Sequence, residues 1–334
     1  MINPIRLDKA SGRGEHQYMR NSNGAVNSPP LDAAASILAR ETYRHLRLML
    51  VTLPALMVLA ILVLAVTAQF EGSISAYYLG PIRDIFVGAM VGTAVCLIVY
   101  RGSPPFEDYT LNVAGFYAIF VAFVPTGLAE SFASLGSAER QEAVGALRIS
   151  IGAVIAIGTV FVLLERRFGH WTIPSLLQRQ ATKWVFRVTN VLGIGFLILV
   201  IITGFVDDSF QGVHFAASVL FFVSLAAAVA SHAWPGPFGG SEPGVAAYRI
   251  IFGLMLAGIL VGFILFRVGS DYTALVLELW EIGLFCAFWV MEARRTWPAV
   301  SAPDAPDSPP DEPVSPPEYR PIPRHSTTAP ETTI

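Results

Sequence analysis

Between residues 48 and 292 the chain alternates long apolar runs with short polar segments. Eight runs stand out, at 48–69, 84–100, 110–128, 147–164, 187–205, 213–231, 248–267 and 272–291. A hydrocarbon core roughly 30 Å thick is crossed by about 20 mostly apolar residues in a helix. Away from water each backbone amide and carbonyl must be satisfied within its own segment, which selects helix for runs of this kind. The pattern predicts an all-α, polytopic membrane helix bundle with about eight transmembrane helices, occupying residues 48–292.

The flanks read differently. In residues 31–47, Leu31, Ala34, Ile37 and Leu38 alternate with Arg40, Arg44 and Arg47, as in an amphipathic helix leading into the first span. Residues 298–334 hold eleven prolines among Asp, Glu, Ser and Thr. The expected organisation is a tail over 1–47, the membrane domain, and a disordered Pro-rich tail over 293–334. Pro316-Pro317-Glu318-Tyr319 has the form that proline-motif readers bind, although a solvated tail explains it more simply.

Charge supplies an orientation. With the N-terminus inside, twelve basic residues near span ends face the cytoplasm and four (Arg83, Arg140, Arg148 and Arg267) face outside. That asymmetry predicts both termini in the cytoplasm and a multi-pass protein of the cell (plasma) membrane. The first apolar run is too long for a cleavable signal and is expected to stay as an anchor. In the loop 165–187, Arg166, Arg167, Arg179 and Lys183 lie among Trp171 and Trp184, which fits a short interfacial helix.

Composition agrees with lipid as the solvent. Hydrophobic residues make up 54% and charged residues 14%, against about 25% charged in soluble domains. The net charge of −3 gives no reason to expect nucleic acid as a partner. Cys96 and Cys286 each fall inside a span and read as packing residues, too few for a disulfide framework or a Cys-based zinc site. No cofactor or metal is implied. Gly88 with Gly92, and Gly258 with Gly262, have the four-residue spacing that lets helix backbones approach closely.

Polar residues at costly depths are the candidates for function. Ser75, Tyr77, Tyr78, Arg83 and Asp84 crowd the first outer loop and the start of the second span. Pro81 and Asp84 suit a helix start, while Arg83 and the tyrosine hydroxyls suit an anion or a lipid headgroup. Asp207, Asp208 and His214 are assigned to the same face. Glu278 and Glu281, three residues apart, share a face of the last span, and Glu281 lies well inside it. Asn112, Asn190, Thr203, Arg249 and Arg267 are its possible partners.

The segment Ser73-Ile-Ser75-Ala-Tyr77-Tyr78, followed by Arg83-Asp84 and Phe86-Val-Gly88, resembles an uncharacterised group of bacterial multi-pass membrane proteins, distantly similar to the Frag1/DRAM/Sfk1 type. Phe123-Val124-Pro125-Thr126, Val213-His214-Phe215, and Glu281 with Phe285 and Trp289 extend the resemblance; Leu79 and Pro81 depart from it. It implies a membrane helix bundle and carries no activity.

Four function classes follow. The leading expectation is a non-enzymatic membrane protein that binds or passes a small or lipidic ligand through an outer-face pocket formed by the residues above. A proton-coupled transporter would use Glu278 and Glu281. A membrane-embedded hydrolase would need Asp84, Asp207, Asp208 and His214; a multi-histidine zinc centre is excluded there, since only His214 of six histidines is assigned to the outer face. A scaffold would use the tails.

Overall fold

The computed structural model describes residues 31–67, 71–169, 173–240, 244–268 and 272–301. The two tails beyond these limits, with Pro316–Tyr319, lie outside the described residues. Contacts divide the chain after Tyr43. In the first unit the described residues are helical, and Thr42 Oγ1 donates to the Leu38 carbonyl at 2.9 Å.

Among the described residues there is no strand. The long helices are α1 (Leu31–Thr67), α2 (Arg83–Val99), α3 (Pro105–Phe123), then after the short α4 (Leu128–Ala133) α5 (Ser137–Phe168), after the single turn α6 (Ile173–Leu176) α7 (Gln180–Val200), α8 (Val213–Ala233), after α9 (Pro235–Phe238) α10 (Ala246–Val268), and α11 (Thr273–Ser301). A 3-10 turn, Ile74–Leu79, precedes α2, and α7 runs on as a π-helix over Ile201–Val206. Each of the eight predicted spans coincides largely with one long helix, although the span 110–128 runs past the end of α3 at Phe123. Of the short helix expected in the loop 165–187, the described residues hold the single turn α6, with α5 and α7 extending into the loop from both sides.

Six helices (α1, α5, α7 with its π-helical extension, α8, α10 and α11) are long and apolar enough to cross a membrane. The chain is an all-α polytopic integral membrane protein. The other two long helices fall short for a physical reason. α2 has only 17 residues, and α3 opens with Glu107 and Asp108 in its first turn. α3 is shielded by its neighbours, packed most extensively against α8 and α2. Being enclosed by protein, α3 can carry polar groups that a lipid-facing helix cannot. α5 is the opposite case: 6% of its apolar window is buried within the protein, against 56% for α8.

Small residues set the close contacts. A Cβ on Gly115 of α3 would stand 2.6 Å from Ile98 Cγ1 and 2.8 Å from the Ala94 carbonyl oxygen of α2. On α10, Gly258 faces Glu281 and Trp280, and Gly262 faces Leu277, so both glycines of that spaced pair serve the α10–α11 contact. Of the other pair only Gly92 is used, against Leu53 of α1; the Cβ position of Gly88 is open.

Candidate functional site

The densest buried polar cluster lies where α3 starts and α8 and α11 approach their ends. Glu107 (α3) and Glu292 (α11) are each 1% exposed, and His232 (α8) lies between them. His232 Nε2 is 3.0 Å from Glu107 Oε1, and its Nδ1 is 3.5 Å from Glu292 Oε1. The imidazole thus bridges two carboxylates from two other helices. The Tyr248 hydroxyl (α10) donates to Glu292 Oε1 at 2.5 Å, and Arg295 Nη2 reaches Glu292 Oε2 at 3.1 Å. Glu107 Oε2 accepts the Ser103 amide at 2.9 Å, joining the cluster to the α2–α3 turn. Buried carboxylates are tolerable at such depth when paired and hydrogen-bonded; both Glu292 oxygens are bonded, whereas Glu107 Oε1 has its charge contact with His232 and no hydrogen bond.

An outer layer surrounds this bridge. Arg101 pairs with Asp108 at 3.5 Å and with Glu165 of α5. Arg47 of α1 donates two hydrogen bonds to the Tyr100 hydroxyl, at 3.2 and 2.9 Å, and the Tyr100 ring meets Trp289 edge-on at 4.9 Å. Beside the bridge opens a cavity of about 230 Å³, walled by Ser103, Ser231, His232, Tyr248, Arg295 and the α9 turn. Arg179 reaches the α9 turn at 2.8 Å through the Gly236 carbonyl. Among the described residues no carboxylate lines this cavity; Glu107 and Glu292 stand behind its wall.

The residues singled out from sequence form several small groups. Ser75 bonds Ser73 at 3.1 Å, and the Tyr77 hydroxyl accepts the Glu71 amide at 3.1 Å, both tying the 3-10 segment to the residues just before it. Glu278 Oε2 accepts the Ile74 amide at 2.5 Å, which fastens α11 to that segment. Arg83 donates to the Tyr78 hydroxyl at 3.1 Å and stacks over its ring, with Arg83 and Asp84 both exposed. His214 Nδ1 lies 2.6 Å from the Val124 carbonyl, and Ser218 Oγ lies 3.3 Å from Nε2. Since a carbonyl only accepts, Nδ1 carries the hydrogen, and His214 acts as a tie between α8 and the end of α3.

Asp207 is exposed, whereas Asp208 pairs with Arg148 of α5. Arg148 also donates to the carbonyls of Gly204 (2.9 Å) and Phe205 (3.0 Å), closing the π-helix end. Asp208 (φ 57°) and Phe210 (φ 49°) take left-handed backbone conformations here, so this end is held against strain. Because Arg148 and Asp208 are both well exposed, solvent screens the pair. Arg148→Ala is therefore expected to lower stability by only about 1 kcal/mol, read from chemical unfolding in detergent.

Asp84, Asp207, Asp208 and His214 assemble no metal-binding group, and none of three or more ligands occurs among the described residues. Glu281 is 3% exposed, and neither of its oxygens has a hydrogen-bond partner. Three of the five partners considered for it are engaged elsewhere, and Asn112 Oδ1 is itself buried without a hydrogen bond. Asn190 bonds Phe186 and Tyr109, Thr203 bonds Leu199 in its own helix, and Arg249 donates to the Ala233 carbonyl.

Sequence reasoning passed over Glu107, Asp108, Tyr248, Glu292 and Arg295. Acids in a helix's first turn look like ordinary helix starts, and Glu292 sits one residue beyond the apolar run that ends at 291. The readable signal was Glu292 with Arg295 at i,i+3. Comparison of the chain with protein-family models, with curated proteins and with solved structures gave no match.

Proposed function

We propose that this membrane protein binds a small ligand carrying an anionic group, carboxylate or phosphate, in the cavity beside the Glu107–His232–Glu292 bridge. One observation carries the reading. Among the described residues the cavity wall holds Arg295, with Arg179 at the α9 turn, and no acid, while Glu107 and Glu292, to which both nitrogens of His232 are turned, are withdrawn behind it. Arg295 spends one nitrogen on Glu292 and is 44% exposed, which leaves the rest of its guanidinium for an incoming anion. Ser103 adds a hydroxyl, whereas the Ser231 hydroxyl donates to the Ala228 carbonyl. The His232 nitrogens and the Tyr248 hydroxyl are taken up by Glu107 and Glu292, which leaves the anion to Arg295.

The basic asymmetry of the sequence supports placing this cavity on the cytoplasmic side of a cell membrane, with both termini on that side. The leading expectation of a ligand-binding membrane protein is thereby kept, with the pocket moved to the opposite end from Tyr77, Tyr78 and Arg83. A second cavity, of about 500 Å³, lies at that other end and is lined by Arg140, Arg148 and Asp208. Its acid and its lack of buried partners make it the weaker site.

The test is thermal unfolding of the purified full chain in inorganic phosphate against chloride at equal ionic strength. Binding to the folded state alone stabilises it by about 2.7 kcal/mol at a hundredfold excess over Kd. Phosphate is expected to raise the midpoint, and Val245→Trp, which fills the cavity mouth from a 43% exposed position, is expected to remove the rise. Equal midpoints in the two salts, for phosphate and acetate alike, would overturn the reading.

A further inference from the structure

We propose that Glu281 is an intramembrane proton-binding site, a carboxyl group kept as a neutral acid in the α10–α11 interface and serviced from the Glu278 end of α11. Among the described residues its surroundings supply no counter-charge. On α10 the group facing it is Gly258, whose missing side chain makes the room; a Cβ there would run into Glu281 Oε1. The ionisable residues of α10 are Tyr248 and Arg249 at one end and Arg267 at the other. Arg249 and Arg267 are each nine residues from Gly258, roughly 13 Å along the axis.

The other neighbours of α11 are equally silent. α1 has no ionisable residue between Leu48 and Thr67. The histidines of α8 are engaged, His214 with Val124 and Ser218, and His232 with Glu107 and Glu292. In the 3-10 segment the Tyr77 hydroxyl serves the Glu71 amide, Tyr78 is paired with Arg83, and the Ile74 amide serves Glu278. The Trp280 indole, next in the chain, donates to the Leu254 carbonyl at 3.3 Å instead of to the acid. An ionised carboxylate buried without a partner is costly, whereas a neutral acid is tolerated.

The face of α11 that carries Glu281 also fixes the direction of exchange. Glu278 lies one turn nearer the helix start, where its carboxylate meets the Ile74 amide. Toward the other end, Phe285, Phe288 and Trp289 are 4, 2 and 0% exposed and fill the space before Glu292. Glu281 and Glu292 are eleven residues apart, roughly 16 Å. The aromatic layer separates the two acids, so the proton on Glu281 belongs to a site distinct from the anion cavity. This inference does not rest on that cavity.

Dicyclohexylcarbodiimide, an apolar reagent that dissolves in the membrane, is the probe. The O–H of a neutral carboxylic acid adds across one C=N bond, oxygen to carbon and hydrogen to nitrogen. The O-acylisourea then rearranges to an N-acylurea with no atom lost. Trp280, 47% exposed, marks a lipid-facing approach to the acid. Full-length protein in liposomes is treated, digested and mapped by mass spectrometry.

The expected result is one whole-reagent adduct on Glu281, falling as the medium is made alkaline, and absent with a water-soluble carbodiimide. Glu278→Gln is expected to retain the adduct and Glu281→Gln to lose it. An unmodified Glu281 in folded wild-type protein, labelling that ignores pH, or equal labelling by the water-soluble reagent would each overturn the proposal. The wild-type map decides even if Glu281→Gln fails to fold.

Discussion

Glu292→Ala is expected to destabilise the detergent-solubilised bundle by about 3–5 kcal/mol, the range for breaking a buried charged pair from one side. The carboxylate accepts from Tyr248 and Arg295 and lies beside His232. Alanine strips all three at once and leaves Glu107 and His232 as a buried pair with no second acid. Arg295 contributes little to this loss, because at 44% exposure water takes over its solvation. Arg295→Ala should therefore cost about 1 kcal/mol, and Glu292→Gln, which keeps an acceptor for Tyr248, should fall between the two. Unfolding by graded denaturant, followed by circular dichroism, measures the series. A Glu292→Ala loss no larger than that of Arg295→Ala would mean that the bridge does not hold the four helices together.

The second large effect is steric. Gly115→Ala is expected to cost about 1–3 kcal/mol, the usual penalty for overpacking a close contact. The added methyl group would meet Ile98, which can turn, and also the Ala94 carbonyl oxygen, which belongs to the α2 backbone and cannot move without shifting that helix. Gly88→Ala and Gly152→Ala are the controls. Their Cβ positions are open, so alanine should be neutral or should stabilise through its better helix propensity. Equal effects at all three positions would show that α2 and α3 are not in such close contact.

The architecture was legible because apolar run length is a strong constraint in lipid, and all eight runs became helices. Helix ends were less legible. α5 extends to Ser137 and α7 begins at Gln180, well outside their apolar runs, since polar helical turns continue beyond the hydrocarbon. The site was hardest to read. Glu281 stood out because an acid in mid-span is conspicuous, yet its facing residue, Gly258, carries no chemical signal of its own. Glu107, His232 and Glu292 come from three separated helices, and each one alone resembles an ordinary residue at a helix end. Only the packing of α3 against α8, and of α11 beside them, brings them together. In the opposite sense, Tyr78, Arg83 and Asp84 are adjacent in sequence, and their density reflects a turn and a helix start.

The most direct test of the anion cavity is the reactivity of Val245→Cys, with Cys96 and Cys286 replaced by alanine, toward methanethiosulfonate reagents of opposite charge. The account predicts that the anionic reagent reacts faster than the cationic one and that inorganic phosphate slows it. Faster reaction of the cationic reagent, or rates untouched by phosphate, would contradict it.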